Sequence, residues 1–453
     1  MNPVLSASGL LDLIFNFFLF TWWLWVFVIV FPTFRSLWFF YKQAQFKQAI
    51  KWSLLELRIP REVKRSAKAM EQVITSIHSL RNTPGNFKEK YIDGQVTRWF
   101  SLEIVSFGGE IHFYIRCPEQ FKTLIQSPLF SYYPDVEVEE AEDYMKELPA
   151  TTAEMYGRDS DLWGTEMILA KDGVYPIKTY TSFESDVEES SLDPIGALIE
   201  ILAKMKTEEF AAIHLIITPK GPEWREEVKG EIDKIRDGEA KKASSKLKTE
   251  FPEGGPLPLF TGAGIGEAKP GEPKPLKFPT PGTTDILKAV ETNLSKAAFD
   301  TIIRVGYLGP KAAFYDSFVR SGVMASFNQY SSTNLNSFKS NLETATKVSP
   351  YKWPFVFVKA RTEYRKQRFL YNLIHRQIPE RNTVGTLLTS YLLNFNNVSQ
   401  YVVLTTESLA TLFHIPTQAV ITAPHIRRVE SRKVGPPAGM AIFGEDKEIG
   451  RFQ

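Results

Sequence analysis

The chain has 453 residues, a net charge of +2 and a single cysteine, Cys117. This length suggests two or three domains, and so small a net charge does not identify a partner by electrostatics alone. One cysteine excludes a disulfide framework and a cysteine-rich zinc site, which fits a reducing compartment. Cys117 follows the apolar run IHFYIR, so we expect it to be a buried structural thiol.

Residues 11–31 form a long apolar run, LDLIFNFFLFTWWLWVFVIVF, in which Asp12 is the only charge. About 20 helical residues at 1.5 Å each reach across a hydrocarbon core of roughly 30 Å. No basic residue precedes the run and no small-residue cleavage site follows it, which argues against a cleaved signal peptide. We predict a short tail and a transmembrane helix over residues 1–31, with Trp22, Trp23 and Trp25 as interface residues.

Residues 32–94 are rich in basic side chains, of which Arg35, Lys42 and Lys47 come first. By the positive-inside rule, the N-terminus lies outside and the body lies in the cytoplasm. We predict basic amphipathic juxtamembrane helices here, with Trp38 in an interfacial aromatic belt. The helical pattern over residues 34–57 fits a helix that lies on the leaflet and a helix that packs on the body equally well.

The apolar period changes to two after residue 95, which marks the start of a first α+β domain over residues 95–218. VTRWFSLEIVSF and EIHFYIRC alternate as strands, and Gly108 and Gly109 between them predict a hairpin. We expect further strands over residues 165–170, 175–180 and 210–218, and helices beginning near Pro118 and Asp193.

Acidic residues crowd residues 135–200, a sign opposite to that of a nucleic-acid surface. Glu137 and Glu139 alternate along a predicted strand, as solvent-facing residues do. We predict a solvated acidic face. The alternatives are a docking surface for a basic partner and a carboxylate metal site.

Residues 219–282 are predicted to be a linker, charged at first and then rich in proline and glycine, with too few apolar residues for a core. A second α+β domain follows over residues 283–437, and residues 438–453 are a tail. In this domain we expect a helix over residues 283–296, strands over 298–308 and 353–361, and a basic helix over 362–378. The predicted fold class is therefore α+β, with a transmembrane helix and two α+β units joined by a Pro/Gly-rich linker.

The sequence contains no phosphate-binding loop, zinc-protease motif, nucleophile elbow or kinase signature, and its six histidines have no ligand spacing. We therefore predict no catalytic, cofactor or metal residues. Two basic stretches are candidates for contact with nucleic acid or phospholipid head groups, a solvated helix face being the alternative. Their residues are Arg365, Lys366, Arg368, Arg376, Arg427, Arg428, Arg432 and Lys433.

Two segments resemble the region that precedes the motor in conjugative-transfer and type IV secretion ATPases of the HerA–FtsK type. They are FDTIIRVGYLG to STNLNSF, residues 299–338, and VVLTTESLATLFHIPTQAV to ESRKVGPP, residues 402–437. In that family a Leu-x-x-Leu-[Phe/Tyr]-His-[Ile/Leu]-Pro segment, here residues 409–416, leads toward the ATPase core. A Walker A loop should follow it, and none does here.

The resemblance implies the membrane-anchored, pre-motor part of such a translocase without its ATPase. From it we expect a non-enzymatic, single-pass component of a bacterial DNA- or protein-transfer apparatus, acting as a platform for a separate P-loop ATPase. The other hypotheses are a membrane-bound enzyme with a site outside known motifs and a lipid-binding scaffold. The expected partners are membrane lipid, that ATPase and further copies of the chain, with nucleic-acid contact indirect at most.

Overall fold

The computed structural model describes residues 7–60, 65–183, 192–228, 230, 281–312, 314, 318–349, 351, 357–379, 399–417 and 428–429. Within them the protein is α+β, as predicted, with helices on both faces of one large sheet. The strands are β1 (Trp52–Pro60), β2 (Phe100–Phe107), β3 (Glu110–Pro118), β4 (Glu137–Ala141), β5 (Ser160–Leu169), β6 (Phe210–Pro219), β7 (Ala298–Pro310), β8 (Phe338–Ser340), β9 (Val402–Thr405) and β10 (Arg428–Val429).

The sheet has the order β10-β1-β3-β2-β6-β7-β5-β8, while β4 also pairs with β1 and β9 with β7. Its pairings are antiparallel apart from the short contact of β10 with β1. The helices are α1 (Ala7–Ala49), α2 (Ala67–Ser79), α3 (Lys122–Tyr132), α4 (Thr152–Gly157), α5 (Gly196–Ala203), α6 (Pro281–Ser295), α7 (Phe318–Ser326), α8 (Val358–Ile374) and α9 (Thr406–Leu412).

The structure does not show two separate α+β units. β6 pairs with β7 along its whole length, from Phe210 opposite Leu308 to Pro219 opposite Phe299, and β5 pairs with β7 on the other side. Both β6 and β7 are buried on both faces over nearly their whole length, as strands covered on both sides are. Residues 231–280, most of the predicted linker, lie outside the described residues.

Successive side chains along each strand point to opposite faces of the sheet, and they form a hydrophobic core on each face. On one face, Leu102 and Ile104 of β2 join a large cluster with α2 and α9. On the other face, Val105 joins a smaller cluster with Phe369 and Leu373 of α8. Each residue step reverses the side of the sheet, so a strand covered by helices on both faces has few polar positions.

The hairpin is confirmed, since Gly108 and Gly109 have φ values of 55° and 95° and connect β2 to β3. The strands predicted over residues 165–170, 210–218 and 298–308 are confirmed as parts of β5, β6 and β7, and Cys117 is buried as expected. The strand expected over residues 175–180 is wrong. There the carboxamide of Asn336 donates to the carbonyl oxygens of Asp172 and Tyr175, so side-chain hydrogen bonds replace a ladder.

The helix predicted over residues 34–57 ends early, at Ala49, and Trp52–Pro60 is a strand instead. Its apolar residues fitted a helical spacing, but pairing with β3 and β4 buries them in the sheet. The strand expected over residues 353–361 is also corrected in its described part, because α8 begins at Val358. The predicted basic helix is confirmed as part of α8.

Candidate functional site

The first half of α1 carries exposed apolar side chains. Phe20 is 82% exposed and Phe27 is 70% exposed, and the predicted interface residues Trp22 and Trp23 are also exposed. In the described part of the chain, no one helix has the length and mean hydropathy needed to cross a membrane; two segments of α1, Phe15–Leu24 and Val26–Ala49, meet this requirement together, with a 54° bend between them. Trp25, the third predicted interface tryptophan, belongs to α1, but its side chain is not among those that the structure describes. An apolar surface of this extent marks a contact with a membrane or another protein.

Beyond Phe31, α1 is attached to the body through Tyr91. The indole Nε1 of Trp38 donates to the Tyr91 carbonyl oxygen at 3.2 Å. The guanidinium of Arg35 lies 5.6 Å from the centre of the Tyr91 ring, and the Phe39 ring lies 5.5 Å from it. The Lys42 ammonium lies 5.2 Å from the centre of the Trp38 ring. We call these residues, Arg35, Trp38, Phe39, Lys42 and Tyr91, the collar.

A short turn holds Tyr91 in place. The Glu89 carboxylate accepts hydrogen bonds from the backbone N–H groups of Gly85, at 2.9 Å, and Asn86. Gly94 ends the turn with φ 65°, and a Cβ on it would lie 2.4 Å from the carbonyl carbon of Lys42. Only glycine permits this approach of the turn to α1, so the collar is built into the body of the protein.

Exposed aromatic and apolar side chains surround the collar, among them Phe34, Tyr41, Phe87 and Ile92. Phe87 is 73% exposed, and its ring contacts that of Tyr91 at a tilt of 34°, with 4.7 Å between ring centres. Aromatic rings beside cationic side chains are the composition of a membrane–water interface. The collar and the side chains around it therefore form a surface on which aromatic and cationic groups alternate.

Directly next to the collar lies a cavity of about 260 Å³. Phe39, Gln43 and Lys47 line one wall, at a spacing of four residues that places them on one stripe of α1. Thr218, at the end of β6, lines the cavity and is buried, and its hydroxyl has no hydrogen-bond partner among the described residues. Lys47, predicted to face the leaflet, lies in this cavity wall.

The basic side chains of α8 are not a continuous exposed surface. Arg365 is buried and donates to the carbonyl oxygens of Leu342, at 2.8 Å, and Ala345. Lys366 is half-buried and pairs with Asp161. Arg368 is half-buried beside Tyr371. α8 therefore turns much of its positive charge toward the protein, because this face packs on the sheet.

Arg376 follows α8 and is fully buried, with a left-handed φ of 47°. Its Nε and Nη2 donate to the two carboxylate oxygens of Glu103 at 3.0 Å each, and its Nη1 donates to Asp143 at 2.7 Å. The Tyr144 hydroxyl donates to Glu103 at 2.5 Å and lies 2.8 Å from Nε2 of His214. Arg376 is thus an internal ion-pair residue, not a docking residue.

This ion pair belongs to a polar row that crosses the sheet. Successive members stand directly opposite one another on six neighbouring strands and all are buried. We call this set the polar row: Glu56, Tyr114, Glu103, His214, Arg304 and Glu166. Arg304 Nε and Nη2 donate to Glu166 at 3.0 and 2.9 Å, and its Nη1 donates to the carbonyl oxygen of Asn372 in α8. The row and Arg376 therefore join α8 to the sheet.

Burial and charge set the protonation of the row. Burial alone would raise the pKa of Glu103, but the positive charge of Arg376 and its hydrogen bonds lower it well below its usual range. Burial lowers the pKa of His214 to about 4, against the opposing charge of Glu103. Glu103 is therefore negatively charged and His214 neutral at neutral pH, so the charge of Glu103 is balanced by Arg376 and not by an imidazolium.

The remaining predicted basic residues are mostly outside the description. Arg427, Arg432 and Lys433 lie there, and only the backbone of Arg428 is described, in β10 opposite Ile59. The segment at residues 409–416 is buried, including Leu409 and Phe413. Asp193 lies 2.8 Å from His414 Nε2 and ties this segment to the start of α5.

The acidic strand is a solvated edge, as predicted. Glu137, Glu139 and Glu142 on and beside β4 are exposed, and Glu139 pairs with Arg58 at 2.8 Å. Among the described residues, no group of three or more His, Cys, Asp or Glu side chains is arranged to hold a metal ion.

Sequence reasoning missed the collar turn, the cavity and the polar row. Gly94 after KYID was the one local signal of the turn. The row had no local signal, because its members lie on strands that are far apart in the chain.

A sequence profile described as "Domain of unknown function (DUF8128)" matches residues 41–428. No curated protein matches the chain. The profile begins inside α1, within the collar, and covers the sheet through to β10.

Proposed function

This chain belongs to the DUF8128 family, and we propose that it is a membrane-attached, non-enzymatic platform protein. In this proposal the apolar half of α1 inserts into the bilayer, the collar lies at the head groups, and the body forms an interaction surface. The N-terminus lies outside a bacterial cell membrane and the body lies in the cytoplasm, as the basic residues that follow α1's apolar half favour.

The observation that carries the proposal is the continuity of two surfaces. The exposed apolar part of α1 runs directly into the collar, and the collar is held to the body by the contact of Gly94 with Lys42. A helix joined to its body by a flexible linker would leave the body free to turn. Here the second segment of α1, Val26–Ala49, carries the collar residues and is fixed against the body, so the body has one orientation relative to that segment.

Membrane attachment is tested with the full-length chain and the variant Phe20→Asp. A carboxylate near the centre of an inserted helix costs about 2.5–3.5 kcal/mol, so we expect the variant to be partly released by alkaline carbonate while the wild type stays in the membrane pellet. Leu124→Asp is the matched control, since Leu124 is 53% exposed on the body. Release of the wild type itself, or equal release of both variants, contradicts the proposal.

We further propose that the platform serves a DNA- or protein-transfer apparatus and receives a separate P-loop ATPase. Its support is the resemblance of residues 299–338 and 402–437 to pre-motor regions. In the structure these segments supply neighbouring strands, since Ala298–Thr301 of β7 pair with β9. Because residues 409–416 are buried, they serve the core, and docking is assigned to the exposed acidic edge of β4.

This second step is tested by purifying the tagged full-length chain from native membranes with and without ATP. We expect a P-loop ATPase to co-purify, and the charge reversal Glu137→Lys with Glu139→Lys to remove it. Glu200→Lys with Glu208→Lys is the control, because both residues are exposed elsewhere. A preparation without an ATPase but with bound divalent metal would favour the enzyme hypothesis instead.

A further inference from the structure

The cavity beside the collar has a one-sided charge. Lys47 and Lys90 contribute two cationic side chains to it, and none of its lining residues among those described is acidic. Its other polar walls are amide and hydroxyl side chains such as Gln43, Gln95 and Thr97. Such a lining offers donors and positive charge and therefore fits an anion.

The cavity also contains an unsatisfied donor. Thr218 is 2% exposed, and its hydroxyl has no hydrogen-bond partner within the described residues although it lines the cavity. The neighbouring Trp99 is buried too, and its indole N–H has no partner in the same part of the chain. Trp99 packs with Val96 and Ile378, which line the cavity. Buried donors normally find acceptors, so the hydroxyl of Thr218, the one of these two groups whose residue lines the cavity, is available to an acceptor on a bound ligand.

The position of the cavity indicates where that ligand comes from. Phe39 lies eight residues after Phe31, or about 12 Å along a straight helix, and it belongs to both the collar and the cavity wall. Phe39 and Ile378 give the cavity apolar walls beside its cationic ones. A head group that enters from the collar would bring a phosphate to Lys47 and leave its less polar part near Phe39.

We propose that this cavity binds a phosphate group, supplied by an anionic membrane lipid or by a free phosphate compound. The lipid source rests on the membrane attachment proposed above, whereas the free source does not. Lys47 and Lys90 supply charge, and Thr218 donates its hydroxyl to a phosphate oxygen. The volume, about 260 Å³, holds a head group but not a whole lipid, so the acyl chains remain in the bilayer.

The test is a ³¹P NMR titration of the full-length chain in a detergent that contains no phosphorus. The probes are dioctanoyl phosphatidic acid and inorganic phosphate, each measured on wild type, Lys47→Gln and Thr218→Val. Lys68→Gln is the control, because Lys68 is exposed on α2 and its substitution removes the same charge as Lys47→Gln. We expect about a tenfold rise in the dissociation constant for both cavity variants and no change for the control.

Thr218→Val also separates binding from folding. Without ligand it removes a buried donor that has no partner, so its melting temperature should equal or exceed that of the wild type. Weaker binding by a variant that is at least as stable cannot come from unfolding.

The titration distinguishes a lipid phosphate from a free phosphate compound and can also show that the cavity binds neither. Variant-sensitive binding of phosphatidic acid alone assigns a lipid, and equal variant-sensitive binding of both probes assigns a free phosphate compound. Unchanged dissociation constants in Lys47→Gln and Thr218→Val, or the same change in Lys68→Gln, overturn the proposal. If the membrane attachment proposed above is wrong, the wild type is released by alkaline carbonate. That result is independent of the phosphate titration.

Discussion

Replacing Arg376 with methionine should destabilise the protein strongly. Glu103 and Arg376 are both fully buried and share two hydrogen bonds of 3.0 Å. In the variant the Glu103 carboxylate keeps the hydroxyl of Tyr144 but loses its balancing charge. Breaking a buried ion pair from one side costs about 3–5 kcal/mol. Methionine keeps an unbranched side chain at the left-handed φ of 47°, so little backbone cost is added.

The expected loss of stability is measured as a fall in the melting temperature of the full-length chain in detergent, with circular dichroism as the signal. At about 2 °C per kcal/mol for a body of this size, the variant should melt roughly 6–10 °C below the wild type. Arg368→Met is the matched control on α8. Arg368 is half-buried, and within the described part of the chain its guanidinium lies 5.9 Å from the Tyr371 ring, so we expect a shift of about 1 °C or less.

A double variant tests the physical reason. Glu103→Leu with Arg376→Met removes both charges, so its loss should be well below the sum of the two single losses, with a coupling of about 3 kcal/mol or more. The reasoning is refuted if Arg376→Met melts within 2 °C of the wild type, or if the two single losses simply add.

Three further predictions concern the collar, the polar row and the thiol. Gly94→Ala places a methyl group 2.4 Å from the Lys42 carbonyl carbon, so it should cost about 1–3 kcal/mol and speed proteolysis of the collar turn. Gly85→Ala, with open space around it, should change neither melting nor proteolysis. Because burial lowers the pKa of His214 to about 4, the unfolded chain takes up a proton first as the pH falls below about 6.5. Stability should therefore drop by up to about 3 kcal/mol between pH 6.5 and 4, and urea melts of His214→Gln should show a smaller drop. Burial raises the pKa of Cys117 to about 12, so iodoacetamide should label it only after unfolding; labelling of the native chain by mass spectrometry would show that the thiol is accessible.

Much of the local structure could be read from the chain. The apolar run of α1, the glycine hairpin and the strands of β6 and β7 all depend on neighbouring residues. Their spacing or their turn chemistry is visible in a short window. The burial of Cys117 follows in the same way, since it ends an apolar strand.

Longer-range features could not be read in this way. Residues 52–57 fit a helical spacing, and only their pairing with β3 and β4 makes them a strand. The arginines of α8 looked like an exposed basic face, because charge in a sequence does not reveal which carboxylates lie opposite it. Glu103 and Arg376 are separated by most of the chain and meet only because α8 packs over the sheet.

The amino-acid sequence by itself determined the α+β class, the apolar length of α1 and the basic flank that follows it. These depend on composition and on periods of a few residues, which every window of the chain contains. Tertiary structure alone decided that strands from both predicted units form one sheet, that the collar joins α1 to the body, and that the polar row is buried. Each of these depends on strand register and close backbone approach, and those are settled only when distant segments compete for the same partners.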